Sequence, residues 1–225
     1  AAHLFGAVRR TLDVWEKYFG HQIEWHFSRD LAQLELVLQR NLEDNAFMGY
    51  GFLEVGVHRA ANGLIEPFSL NFDVIAHEVG HCIVYSIIGV PDLGMASAEY
   101  YGFHESAADL TALITALHFD TVVDELLAST HGNLYALNFV NRIAELSSSE
   151  QIRLAANPLT LFDFVDGWRD EHDLAQPLTG ALFDILVDIF HEELEERGLI
   201  TARQEDLSDR LEDSPNYHEV IQPMF

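Results

Sequence analysis

NFDVIAHEVGHCIVY, residues 71–85, sets three polar side chains, His77, Glu78 and His81, in an otherwise apolar run. Four residues along an α-helix turn through about 400° and rise roughly 6 Å, so His77 and His81 share one face. Two imidazoles so placed can both reach one Zn²⁺ at about 2.0–2.1 Å. Glu78 falls on the neighbouring face, able to touch a water on that metal without replacing it. Val74, Ile75, Val79, Ile83, Val84, Ile87 and Ile88 cover most of the remaining surface, which is the pattern of a buried helix. Polar groups inside such a helix need partners, and a metal supplies them. Two hydrogen-bonded core histidines would fit the same pentapeptide, so the motif alone leaves both readings open.

Glu105, in GFHESAADL, decides between them. It follows His81 by 24 residues, far enough for the chain to turn and bring a second helix back. Two His and one Glu leave the fourth tetrahedral position to water, the arrangement of a catalytic rather than a structural zinc site. Asp109 comes four residues later on the same helical face, where it can accept the outer N–H of a ligand imidazole. Cys82, the only cysteine, excludes an intrachain disulfide and reads as a packing residue of the buried helix.

The 225 residues suffice for one large domain or two lobes around a cleft. With 48% hydrophobic residues, fifteen Phe and three Trp, the chain can fill a substantial core. Charges or turn residues interrupt every apolar run within about 18 residues, so no membrane span is expected. The chain begins without methionine and without a leader pattern, as a processed polypeptide does, so the missing leader carries no information on compartment. A formal charge of −25, from 37 acidic against 12 basic residues, argues against nucleic acid or an anionic membrane as partner. Lys17 is the only lysine. Acid-rich, lysine-poor composition suits either a well-solvated surface or a protein of high-salt surroundings.

Leu4, Val8, Leu12, Trp15 and Phe19 recur at helical steps, and Gly20 follows them, so a helix is expected over 3–19. Strands are expected at 22–27, 33–39 and 51–58, forming a small sheet beside the cleft. Beyond the metal helix the pattern is helical: 100–119, 121–129, 133–146, 149–156 (with Ser148 and Gln151 as a capping box), a long helix from Pro177-Leu178 to about 197, and a weaker one over 202–211. The expected fold is α+β with helices dominant. One catalytic domain spans 1–225, with a sheet-containing lobe at 1–69, metal-site helices at 70–119 and a helical lobe at 120–225.

D-V-I-A-H-E-V-G-H followed by E-S-A-A-D resembles the thermolysin-like metallopeptidases and, more broadly, the gluzincins. The resemblance implies a zincin-like fold and one catalytic Zn²⁺ on His77, His81 and Glu105. It gives Glu78 the role of general base, places Asp109 behind a ligand, and gives Asp73 a counterpart. Asp44-Asn45-Ala46-Phe47 is similar to the family's N-A-F-W on the cleft edge strand, with Met48 in place of Trp, which makes Asn45 and Ala46 substrate-binding. The interval from His81 to Glu105 is longer than in the family's type enzyme and contains Tyr100-Tyr101, of which Tyr101 is matched to the Tyr that contacts the tetrahedral intermediate. Such enzymes also place a His before a C-terminal helix, where a preorganised oxyanion donor is worth about 2.7–4 kcal/mol. His172, in R-D-E-H-D, is the nearest candidate upstream of the expected helix, and its carboxylate neighbours favour the charged donor form. His191 and His218 are the alternatives. The resemblance further implies a peptide or protein substrate, a secreted or periplasmic setting, and calcium without assignable ligands. The competing readings are a catalytically silent zinc scaffold that binds other proteins, and a gluzincin acting on a non-protein amide or ester.

The charge yields a first expectation. Molar NaCl should raise the midpoint of thermal unfolding, because counterions relieve the repulsion among the acids. A flat or falling midpoint would reduce the acidity to ordinary surface solvation.

Overall fold

The structure, a computed structural model, describes residues 1–43, 45–59, 63–92, 94–130, 132–135, 137–147, 150–168 and 170–201. The architecture is mixed α and β with helices in the majority, the expected class. Asn71 opens helix α2 (Phe72–Ile88) by accepting the Val74 N–H at 3.1 Å, as an N-cap residue does. Gly89, at φ 90°, ends it in a conformation that other residues rarely adopt. Between these ends Ile75, Ala76, Val79 and Cys82 are sealed from solvent. Burial on this scale is worth about 1.5–3 kcal/mol for a side chain such as Ile75.

Helix α1 (Ala2–Phe19) packs against α2 and brings Leu4, Val8 and Leu12 to the shared core. Helix α3 (Ala98–Ala116), capped by Ser97, lies along α2, and α4 (Asp120–Thr130) follows it. Helix α5 (Glu171–Glu196) packs on α3 and adds Phe183 and Val187 to the core. None of the described helices is long and apolar enough to cross a membrane.

Two glycines set the spacing of these helices. A Cβ at Gly80 would lie 2.8 Å from the Ala108 Cα, so α2 and α3 cross with backbone nearly touching backbone. A Cβ at Gly102 would meet the Leu174 Cβ at 2.8 Å, which draws the start of α5 onto α3 in the same way. These crossings flank His81 and Glu105, so they fix the distance between the groups that matter.

The sheet is built on β3 (Phe52–Arg59). It pairs in parallel with β1 (Glu35–Glu43), and antiparallel with β2 (Ala46–Gly49) and β4 (Ile65–Pro67). β2 is the end strand in the order β1-β3-β2 and packs on α2. The expected strand at 33–39 is therefore found as β1, shifted and lengthened, and that at 51–58 as β3.

Three expectations need correction. Residues 22–27 form no strand; the Ser28 N–H donates to the Trp25 carbonyl, and those of Asp30 and Leu31 to Phe27. Phe27 is fully buried and Trp25, half-buried, stacks on it at 5.6 Å, so packing rather than a sheet holds these aromatic side chains. The helices expected at 133–146 and 149–156 are a hairpin, β5 (Arg142–Ser147) and β6 (Glu150–Leu154), within the segment expected to be helical throughout. Asparagine side chains prevent the first helix: Asn138 Oδ1 accepts the Val140 and Asn141 N–H groups, and Asn141 Oδ1 accepts that of Asn138. Such local bonds offer the backbone an alternative to the helical ladder. Finally, α5 begins at Glu171, nearly two turns before the expected start. Asp170 caps it, accepting the N–H groups of His172 and Asp173, and Pro177 is carried inside it. Asp44, Ser148 and the helix expected at 202–211 lie outside the described residues.

Gly80→Ala tests the crossing. The substitution gains about 1 kcal/mol of helix propensity but inserts a methyl against backbone, at an overpacking cost of roughly 1–3 kcal/mol or more. A net loss in urea unfolding is expected, and equal or greater stability would show that α2 and α3 have room to separate.

Candidate metal centre

His77 and His81 leave α2 one turn apart and Glu105 descends from α3 to meet them. The Nε2 atoms of the two imidazoles are 3.0 Å apart. Glu105 Oε2 lies 3.3 Å from His77 Nε2, and Oε1 3.4 Å from His81 Nε2. Ligands held at about 2.0–2.1 Å in a tetrahedron are about 3.3–3.4 Å from one another, a length that each carboxylate oxygen meets at its own imidazole, while the two nitrogens lie closer together. Glu78 also offers an oxygen within 4.8 Å of both nitrogens. Glu105 meets the edge length at each nitrogen, which favours it as the third ligand and leaves Glu78 beside the site. Glu105 Oε2 is buried without a hydrogen-bond partner, as expected of an atom whose natural partner is a cation.

Asp109, 1% exposed, lies behind His77, its Oδ1 2.8 Å from His77 Nδ1. The N–H is not aligned with that oxygen, so the contact is an ion-pair approach rather than a well-formed hydrogen bond. Arg153, on β6, holds the same carboxylate in a fork at 2.6 and 3.0 Å. Behind His81 stands His104, whose Nδ1 is 2.7 Å from His81 Nδ1.

The electrostatics follow from this packing. Burial opposes a charge on His77, but Asp109 and Glu105 outweigh it and raise the imidazole well above its ordinary value. Burial and the charged His77 lower His81. Burial alone would raise Glu105 and Asp109; the imidazoles bring Glu105 down, while His77 and Arg153 hold Asp109 below the usual carboxylate range. Burial pushes the Glu78 carboxyl up to about 7, against the opposing pull of His77 and a backbone hydrogen bond from Met48. Burial likewise lowers His104 to about 4 and pushes the Cys82 thiol up to about 12, which leaves Cys82 a packing residue.

A cavity of about 280 Å³ opens onto this cluster, lined by Ala46, Phe47 and Met48 of β2 and by Tyr85, Tyr101, Glu171 and His172. His172, in the first turn of α5, places Nε2 3.3 Å from Glu105 Oε2 and Nδ1 3.3 Å from Asp170 Oδ1. The structure thus brings together His77, Glu78, His81, Glu105, Asp109, His172, Ala46 and Tyr101. Asn45 is exposed just before β2, its carbonyl accepting the Gly56 N–H, and is absent from the cavity wall. Asp73 lies in the first turn of α2 and lines a separate hollow with His58, Glu66 and Asn71. His191 is buried in the body of α5, and His218 is outside the described residues.

Sequence reasoning missed Arg153 and His104. Arg153 gave no signal, because its segment was expected to be a helix. His104 did, as the residue immediately before the third ligand. No protein-family model and no curated protein matches the chain.

Arg153→Leu is expected to destabilise the protein by up to roughly 3–5 kcal/mol at neutral pH, since it strips the buried Asp109 carboxylate of its forked partner and leaves His77 as its remaining counter-charge. Because the folded-state carboxyl of Asp109 is lowered, the pair's stabilisation is complete above the ordinary value of 3.8 and fades as pH falls through the folded one. The gap between variant and wild type in urea unfolding should therefore narrow in acid. A gap that is absent or constant with pH would assign Arg153 to packing.

Proposed function

We propose that the chain is a zinc-dependent peptidase with a zincin-like catalytic fold, similar to the thermolysin-like gluzincins. The observation that carries this is the convergence of two imidazole Nε2 atoms 3.0 Å apart with a carboxylate whose two oxygens lie 3.3 and 3.4 Å from them, and Glu78 beside them. His77, His81 and Glu105 would hold the zinc ion, which supplies Lewis acidity for a scissile carbonyl and lowers the pKa of water.

The chain's own residues account for the remaining steps. Glu78, beside the imidazoles and on the cavity wall, is placed to accept a proton from water and release it to a leaving amine. His172 stands on the far side of Glu105, held by Asp170, where a ring N–H can donate to an oxyanion. β2 is an edge strand along the cavity, so an extended peptide can add to it by backbone hydrogen bonds, with Phe47 and Tyr101 beside its side chains. An intact Glu78 favours an enzyme over a silent zinc scaffold.

The test is zinc content together with cleavage of a peptide library. The wild type should carry one zinc per chain and cleave; Glu78→Gln should keep the zinc and lose on the order of 10²–10⁴-fold in rate. Wild type without zinc would refute the metal assignment. Zinc with no peptide cleavage would favour the scaffold or a non-peptide substrate, and loss of zinc in the variant would make Glu78 a ligand.

A further inference from the structure

His104 and His81 face each other through their Nδ1 atoms at 2.7 Å, with ring planes within 19° of parallel. At that separation one nitrogen carries the hydrogen and the other presents a lone pair. A neutral imidazole has a single N–H. His81 Nε2 faces His77 Nε2 and the Glu105 carboxylate, so it must keep its lone pair free to act as a ligand. Its hydrogen then belongs on Nδ1, and His104 must accept it. The opposite arrangement would put a hydrogen on His81 Nε2, pointing at the donor cluster and blocking it.

The surroundings of His104 suit this assignment. The ring is 3% exposed and flanked by Tyr85, with centroids 4.2 Å apart, and by Tyr100 at 5.6 Å. Its Nε2 is buried and meets no hydrogen-bond partner. Aromatic faces are electron-rich, so they accommodate an N–H better than a bare lone pair. His104 with its hydrogen on Nε2 and its lone pair on Nδ1 is the form that fits both edges of the ring.

We propose that His104 is a positioning residue that fixes the tautomer of His81, with its Nδ1 accepting the His81 Nδ1–H so that His81 Nε2 is presented as a metal ligand. The inference rests on the zinc reading of the site. It also separates the two ligand histidines: His77 is backed by an anion that is itself held by Arg153, and His81 by a neutral ring.

The experiment compares wild type, His104→Phe and His104→Asn. Phenylalanine keeps an aromatic ring and removes the acceptor; asparagine offers an amide oxygen near the position of Nδ1. Zinc affinity is measured by competition with a chromophoric chelator, and the metal-free proteins are compared by thermal unfolding. Losing an outer partner of a ligand histidine weakens metal binding by about 10–100-fold, and His104→Phe should fall in that range while His104→Asn recovers most of the loss. ¹⁵N shifts of His81 in the metal-free proteins should report hydrogen on Nδ1 in the wild type and in His104→Asn, and a mixture of tautomers in His104→Phe. Wild-type affinity in His104→Phe, or equal weakening in both variants, overturns the proposal. So does a wild-type His81 protonated on Nε2. Failure of the wild type to bind zinc at all would instead refute the zinc reading, and the ¹⁵N result would still decide the tautomer.

Discussion

The close crossing of α2 and α3 is the constraint on which the rest depends. Gly80 allows the two backbones to meet at Ala108, and the consequence appears beside it, where Glu105 on one helix reaches the imidazoles of the other at 3.3–3.4 Å. Helix α2 alone carries His77, Glu78 and His81, but the carboxylate at 3.3–3.4 Å from both imidazoles comes from α3. α2 supplies two nitrogens whose spacing is guaranteed by the helical repeat, and α3 supplies the oxygen only at the height and rotation that the crossing dictates. Gly102 repeats the device one layer out, seating α5 so that His172 arrives on the same carboxylate.

Bringing so many ionisable groups into a buried place is costly unless they neutralise one another. Here they are arranged in a row: Glu105, His77, Asp109 and Arg153 alternate in charge from the cavity into the interior. Each group is stabilised by its neighbours in a state it could not hold alone. Glu78 stands outside this row, where burial outweighs the pull of His77 and Arg153, and its carboxyl is accordingly raised. The contrast between Glu105 and Glu78 is one of surroundings. The imidazoles facing Glu105 hold it ionised, whereas at Glu78 burial prevails.

The hairpin β5–β6 illustrates how a local surprise reaches the site. Asparagine side chains at 133, 138 and 141 take up backbone groups that a helix would have used. The chain then runs as strands instead, and one of these delivers Arg153 to Asp109. The capping of α5 has a similar reach. Asp170 starts the helix before His172, and the same carboxylate lies against the His172 ring, so one residue both begins the helix and sets the ring that faces Glu105.

Local sequence determined what depends on local periodicity. The spacing of His77, Glu78 and His81, the apolar envelope of α2, the cap at Asn71, the place of Asp109 one turn beyond Glu105 and the helix-dominated α+β class all follow from repeats of three to four residues. Those repeats act within a single element. Tertiary structure decided what depends on elements meeting. It turned residues 22–27 from a strand into a stacked aromatic loop, and it replaced two expected helices with the hairpin that carries Arg153. It also set His104 behind His81. Pro177 marks a helix start by local rules, because proline disfavours a helix interior, yet the packing of α5 on α3 and the Asp170 cap outweigh that cost. The residues between which the site forms are tens of positions apart, and their geometry comes from helix crossings whose distances no single element encodes.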